Sequence, residues 1–157
     1  MMGLFVSPGH DFIGRHGKER LLNQVSSKKN VHCLAGQGIE GDRFCGFREN
    51  FKGQITFFEW EILEKLRTTF GKPDISPSAS RRNVILKGID LNFLIGKRFQ
   101  IQEVVFEGSE HCAPCNWMDV AILPGTKKAL ENKGGLRSRI LQSGYLSLGK
   151  TDLLFLP

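Results

Sequence analysis

The chain has no long hydrophobic run, only four cysteines and a single tyrosine. No apolar segment reaches the roughly 18 residues that a membrane-spanning helix needs. The opening residues, MMGLFVSPGHDF, hold a short apolar run that a proline and a glycine interrupt, and no basic region precedes this run. We therefore expect no secretory signal peptide and no membrane segment.

Cysteine is too scarce for the disulfide framework of a small secreted protein. The four cysteines stand at positions 33, 45, 112 and 115 of 157 residues. A chain of this length can bury a sizeable core without disulfides. We therefore expect reduced thiols, a cytoplasmic location, and one domain over residues 1–157.

The charge is positive, but the motifs of nucleic-acid binding are missing. A net charge of +6 favours anionic partners in general. No basic helix stripe, zinc-finger spacing or aromatic RNA-binding motif accompanies it, so nucleic acid is not favoured. A small phosphate-bearing ligand would suit the excess charge, and so would a solvated basic surface.

Eighteen glycines and twelve phenylalanines, with few long periodic runs, favour many short strands and turns. We predict strands at residues 4–6, 31–35, 54–57, 83–86, 98–105 and 152–156. The segment 137–149 resembles a hairpin that turns near residues 143–144. One amphipathic helix is predicted within residues 57–72 and a short one within 124–135. The expected fold is mainly β, a barrel or sandwich with a few inserted helices.

The stretch EGSEHCAPCNWMD holds two cysteines three residues apart. Four interpretations are open. A structural zinc site needs four ligands, usually two such pairs, and no second pair exists. A thioredoxin-like redox pair usually opens a helix in a βαβ setting. The thiols could also be ordinary core residues, or one of them could be a functional thiolate that binds a metal or carries sulfur.

Other candidate residues lie in loops and at strand ends. In GQGIEGDRF, three glycines near Arg43 could let the backbone cradle an anion, or Asp42 and Arg43 could simply pair with each other. Arg81 precedes a predicted strand that Asn83 opens, and Arg137 and Arg139 share one face of a later strand. These arginines could also be ordinary charged residues on the solvent-exposed surface. His10 and His16 stand in a glycine-containing loop, where they could donate protons or bind a ligand.

Taken in order, these pieces resemble the MOSC domain, named for the C-terminal domain of molybdenum cofactor sulfurase. The matching stretches are GIEGDRF, KGQITFFEWE, RRNVILKGIDLNFLIGKRFQI, HCAPC and GGLRSRILQSGYLSLG, within residues 30–157. The resemblance implies a closed β-barrel and a molybdenum–pterin cofactor. One departure stands out: many bacterial members have His-Gly-Gly where this chain has Phe51–Lys52–Gly53.

The resemblance also assigns roles to residues. It implies that Cys115 is the metal ligand, because Cys115 and Asp119 match the spacing in relatives that reduce N-hydroxylated compounds, with Cys112 as a second catalytic thiol nearby. It places the arginine-x-asparagine motif of those relatives, which contacts the pterin phosphate, on Arg81 and Asn83. The remaining basic residues are expected around the same pocket: Arg43, Arg137 and Arg139.

Three functions follow as alternatives. The first is reduction of an N-hydroxylated small molecule on the molybdenum–pterin cofactor, with electrons from a separate donor protein. The second is a sulfur carrier, in which Cys115 takes a persulfide from a cysteine desulfurase that uses pyridoxal phosphate and delivers the sulfur to a metal centre. The third is a binding module in which Cys115 is only packed.

Overall fold

The computed structural model describes residues 1–14 and 17–157. Its strands, in chain order, are β1 (Gly3–Val6), β2 (Ser26–Ser27), β3 (Asn30–Leu34), β4 (Gly38–Ile39), β5 (Ile55–Glu59), β6 (Val84–Leu86), β7 (Arg98–Ile101), β8 (Val104–His111), β9 (Leu136–Gln142), β10 (Gly144–Ser147) and β11 (Leu153–Leu156). Its helices are α1 (Trp60–Phe70), α2 (Trp117–Ala121) and α3 (Thr126–Ala129), with 3-10 turns at Pro77–Ser80 and Leu91–Leu94.

Eight strands form one mixed sheet in the order β11-β7-β8-β9-β5-β6-β1-β2, and a second sheet has the order β10-β3-β4. Among the described strands, β5 and β6, which α1 connects, are the only pair that runs parallel; the other pairs are antiparallel. The mainly β prediction is confirmed. Closure of the barrel is not: among the described residues, the large sheet keeps two distinct end strands, β11 and β2.

Helix α1 is the element whose sequence pattern is clearest. Its apolar face buries Ile62, Leu63 and Leu66 against the sheet, each contributing about 1.5–3 kcal/mol by leaving water. The helix ends where Gly71 adopts φ 60° and donates its N–H to the carbonyls of Arg67 and Thr68. A glycine reaches this left-handed conformation without a Cβ clash.

Two predicted connections were wrong. The segment 98–105 is not one strand, because Gln102 adopts φ 53° and folds it into the β7–β8 hairpin. Residues 137–149 are not a hairpin, since β9 pairs with β5 and β8 while β10 crosses to pair with β3. Alternation of apolar residues marks a strand but does not say which strand it will pair with.

Candidate functional site

The two-cysteine loop follows directly on β8 and precedes α2. The Cys112 N–H donates to the carbonyl of Gly135 at 2.7 Å. A Cβ at position 134 would collide with the Cys112 carbonyl oxygen, so only a glycine fits at this position. At the far end of the loop the Cys115 carbonyl accepts from the N–H of Met118 at 3.0 Å. The loop is therefore anchored at both ends.

The two thiols differ in their surroundings. Cys112 is 3 % exposed, whereas Cys115 is exposed. Burial would lower the pKa of Arg137, but the neighbouring Cys112 side chain and Glu110 outweigh burial and raise this pKa. The Arg137 guanidinium therefore lies near Cys112. Cys115 is the thiol that another molecule can reach.

Arg137 and Arg139 share one face of β9 but have different partners. Arg137 donates to Glu110 at 3.0 Å, and Lys52 also reaches Glu110, at 3.3 Å. Arg139 donates to Glu107 at 2.7 Å, two cross-strand pairs further from the cysteine loop. Arg137 therefore lies near Cys112, whereas Arg139 forms an ion pair with Glu107 across the strands.

Asp119, which matches the spacing of the family's aspartate, has a local partner. Its carboxylate accepts the N–H of Lys127 at 2.7 Å, at the start of α3. Lys127 Nζ in turn donates to the Asn116 side chain at 2.7 Å. These contacts tie α3 to α2 and fix the segment that follows Cys115.

A second group of arginines lies next to the GDRF turn. The guanidinium of Arg43 is 11 % exposed, and its contacts to Asp42 and to the Arg81 carbonyl are both 3.5 Å long. Burial lowers the pKa of Arg43; Asp42 opposes this, Arg82 adds to it, and Cys112 lies within the same electrostatic range. Like charges held together out of water favour a bound anion.

Most backbone N–H groups of the turn already have acceptors inside the protein. The N–H groups of Asp42, Arg43, Phe44 and Cys45 all donate to acceptors inside the protein. The Asp42 carboxylate also accepts from the N–H of Ser7. The prediction of a backbone anion cradle is therefore not supported here, and Arg43 is the group of this turn that suits an anion.

Arg81 is occupied by the N-terminal segment. Its guanidinium donates to Asp11 at 2.8 Å, to the Ser7 hydroxyl at 3.2 Å and to the Gly9 carbonyl at 3.0 Å. The Asp11 side chain is 1 % exposed and also pairs with Arg20 at 2.8 Å. A ligand could contact Arg81 only by competing with these acceptors.

Asn83 is satisfied in the same way. It is 3 % exposed, and its carbonyl oxygen accepts from the N–H and the hydroxyl of Thr56. Its two amide hydrogens go to the Phe5 carbonyl and to Asp42. All four hydrogen-bonding positions of this amide are used, so its role in the structure is to join β1, β5 and the GDRF turn.

The buried Asp11 makes the fold sensitive to acid. Burial raises the pKa of Asp11, but hydrogen bonds from Arg20 and from the Asn23 N–H, together with Arg81, lower it below its ordinary value of about 3.9. A carboxyl group with a lowered pKa stabilises the folded state above its unfolded-state pKa, and this stabilisation is lost as the pH falls through the folded-state pKa. We expect the urea midpoint to drop below about pH 4 and to drop less steeply in Asp11→Asn; an identical pH profile would contradict this.

Two residues of the site had no role assigned from sequence. Arg82 donates to the carbonyls of Gly134 and Ser80 and thereby connects the arginine group to the cysteine loop. His111 accepts the N–H of Gly134 at 3.0 Å, and burial followed by Arg82 lowers its pKa, which favours the neutral ring. The doubled arginine in SRRN was a signal for Arg82, but nothing in the local sequence distinguishes which of the two faces the loop.

Three phenylalanines gather beside these basic groups. Phe44, Phe47 and Phe51 lie with ring centroids 5.0–5.7 Å apart, and Phe47 is 53 % exposed. The Arg43 guanidinium lies 4.7 Å from the Phe44 ring centre. A Cβ on Gly53 would touch both the Phe51 ring and the Arg137 side chain. The Phe51 that departs from the family's usual histidine therefore borders the site.

A cleft of ≈ 510 Å³ flanks the cysteine loop, lined by His111, Ala113, Pro114, Lys127, Lys128, Glu131 and Asn132. Nowhere in residues 1–14 and 17–157 do three or more His, Cys, Asp or Glu side chains gather as metal ligands, so the zinc interpretation lacks its ligand set there. His10 packs edge-on against Phe44, and His16 lies outside the described residues. The roles of Cys112, Cys115, Arg43, Arg81, Asn83, Arg137 and Arg139 in binding a cofactor stay predictions.

Comparison with known proteins identifies the family and the fold. The family model of the MOSC domain matches residues 27–151. The YuaD protein from Bacillus subtilis superposes with a TM-score of 0.77 at 16 % identity, covering 98 % of this chain and 93 % of that one. YiiM from Geobacillus stearothermophilus gives 0.71 at 19 %, covering 99 % and 74 %, and YiiM from Escherichia coli gives 0.66 at 15 %, covering 100 % and 71 %.

No curated protein matches the sequence. Within the part of the chain that the structure describes, none of the helices has the length and apolarity that crossing a membrane requires.

Proposed function

Because the chain belongs to the MOSC domain family, we propose that it binds a molybdenum–pterin cofactor through the Cys115 thiolate and reduces N-hydroxylated small molecules. The observation that carries the proposal is a group of guanidinium groups next to the loop that holds an accessible thiol. Arg82 donates to the Gly134 carbonyl beside this loop, Arg43 and Arg137 lie within electrostatic range of Cys112, and Cys115 is exposed.

The arginine group fits the anionic end of such a cofactor. A phosphate monoester carries a charge of about −1.5 to −2 at neutral pH and has three oxygens that are strong hydrogen-bond acceptors. Both hydrogen bonds of the Arg43 guanidinium are 3.5 Å long, so exchanging them for bonds to a phosphate costs little. Binding would also relieve the repulsion between Arg43 and Arg82.

Cys115 fits the metal end. A thiolate is a soft ligand of the kind that molybdenum and other soft metal centres accept. Cys115 is exposed, and the turn that starts at its carbonyl leads into α2 and holds its backbone in place. When bound, the cofactor supplies the two electrons that cleavage of an N–O bond requires, and a separate donor protein replaces them. The chain itself binds and orients the cofactor and, through the exposed Phe47, offers an apolar contact to a substrate.

The direct test is metal analysis of protein purified from cells that make the molybdenum cofactor. We expect molybdenum and a released pterin in equal amounts, and reduction of an aromatic hydroxamic acid by this protein when a chemical reductant supplies electrons. Protein from cells that cannot make the cofactor is the control. Equal molybdenum content in the two preparations, or none in either, would show that the proposal is wrong.

The role of Arg43 can be measured separately. Arg43→Gln should lower cofactor content about tenfold or more, because a charge-assisted hydrogen bond contributes roughly 1.5–3 kcal/mol. The melting temperature should change little, since the protein contacts of Arg43 are long. Arg98→Gln, on the exposed end of β7, is the matched control and should keep its cofactor. Unchanged content in Arg43→Gln would remove this residue from the site.

A sulfur carrier is the second candidate, and the exposure of Cys115 favours it. A sulfur atom delivered by another protein must reach an accessible cysteine, and Cys115 is exposed. A cysteine desulfurase would contribute the pyridoxal phosphate. Incubation with such an enzyme and cysteine should place one sulfur on this chain and none on Cys115→Ser. If neither molybdenum nor persulfide is found, the chain acts as a binding module.

A further inference from the structure

We propose that Cys112 is a second sulfur-bearing residue, which receives sulfane sulfur from Cys115 and holds it as a persulfide against Arg137. The inference rests on the sulfur-carrier function given above as the second candidate. It assigns the two thiols different tasks: the exposed Cys115 is loaded by the donor, and the buried Cys112 stores the sulfur.

The first support is the contrast in access. Cys112 is 3 % exposed, its N–H is tied to Gly135, and the backbone at Gly134 covers its carbonyl. A large donor protein cannot place its own persulfide on a sulfur so enclosed. Cys115, three residues on, is exposed.

The second support is the charge around Cys112. A persulfide is more acidic than the thiol it comes from, so it is an anion at neutral pH and needs a cation when it is buried. Arg137 is the cross-strand partner of Glu110, two residues before Cys112, and both Arg137 and Arg43 lie within electrostatic range of Cys112. Cys33 is the contrast, since burial alone raises its thiol pKa to about 12.

The third support is the reach between the thiols. Three residues span at most about 11 Å when extended, and a turn shortens this distance. Only Ala113 and Pro114 separate the cysteines, and Ala113 is exposed. A local change in this turn can therefore bring the sulfurs together while β8 and α2 stay in place.

The chemistry needs no outside oxidant or reductant. The Cys112 thiolate attacks the outer sulfur of the Cys115 persulfide, a new S–S bond forms on Cys112, and the old S–S bond breaks with its electron pair going to Cys115. The products are a Cys112 persulfide and a Cys115 thiolate. The persulfide proton passes to the departing thiolate or to water, which leaves the anion next to Arg137.

Inorganic polysulfide is a suitable probe, because its terminal sulfane sulfur can be attacked by a thiolate and the shortened polysulfide leaves. The reduced full-length protein is treated, alkylated and digested, and mass spectrometry locates the added sulfur. We expect it on Cys112 in the wild type and on Cys115 in Cys112→Ser. Cys115→Ser should load at least tenfold more slowly, because Cys112 is enclosed. Cys45→Ser should behave like the wild type.

The variant Arg137→Gln tests whether the guanidinium stabilises the persulfide on Cys112. Loss of one charge-assisted hydrogen bond should move the distribution of sulfur from Cys112 towards Cys115 by about tenfold. Arg139→Gln, two residues along the same strand, should keep the wild-type distribution. Melting temperatures of both variants show whether either has lost its fold, and Arg137→Lys, which keeps the charge, should restore part of the effect.

The outcomes are distinguishable. Sulfur that remains on Cys115 in the wild type, or that loads Cys112 equally fast without Cys115, would overturn the relay while the sulfur-carrier function stands. Sulfur on neither thiol would show that the sulfur-carrier function itself is wrong. An Arg137→Gln distribution equal to the wild type would overturn the role of the guanidinium.

Discussion

Replacing Cys115 with serine is expected to remove molybdenum from protein purified with its cofactor. The substitution takes away the soft ligand and leaves a hydroxyl, which is a hard and weak donor to such a metal. Because Cys115 is exposed, its loss should leave the melting temperature within about 2 °C of the wild type. Metal content per chain, measured beside the melting curve, gives the answer.

The other cysteines are the controls for this experiment. Cys112→Ser should retain more molybdenum than Cys115→Ser, and Cys45→Ser, which lies outside the loop, should retain all of it. The opposite ranking of Cys112 and Cys115 would mean that the buried thiol beside Arg137 is the metal ligand and that the spacing to Asp119 is misleading.

Asn83→Ala is expected to lower the free energy of unfolding by about 3–5 kcal/mol, a large share of what a domain of this size possesses. Four hydrogen bonds disappear, and they leave the Thr56 N–H and hydroxyl, the Phe5 carbonyl and Asp42 with buried polar atoms that have lost a partner. The cost is the desolvation of those groups, which no water molecule can easily offset in so enclosed a place. Urea unfolding at neutral pH measures it.

Asn92→Ala is the comparison, since that asparagine is exposed and its side chain makes one hydrogen bond at the surface, to the Asn132 carbonyl. Its effect should stay within about 0.5 kcal/mol. If Asn83→Ala proved equally mild but lost its cofactor, the amide would be a ligand-binding group after all, as the resemblance implied.

The strands and the long helix were predictable because their signals are local. Period-two and period-3.6 spacing of apolar residues depends only on neighbours in the chain. Helix α1 is the example, because its apolar face and its Gly71 cap could both be predicted from the local sequence. The pairing of β9 and β10 with different sheets was not predictable, because it depends on which distant strand offers a free edge. The turn at Gln102 was missed because a single positive φ leaves no periodic pattern.

The sequence by itself determined the family, the mainly β class and the candidate residues, since the five matching stretches, the short apolar runs and the HCAPC spacing are visible in one dimension. Only the tertiary structure decided which of these residues are free to act. Burial and hydrogen-bond partners come from segments far apart in the chain. Asp11 accepts a hydrogen bond from Arg81, and Asn83 accepts one from Thr56, so neither Arg81 nor Asn83 is free for a ligand. The same long-range packing put Arg137 against Cys112, kept Cys115 at the surface, and brought Arg43 and Arg82 to one place.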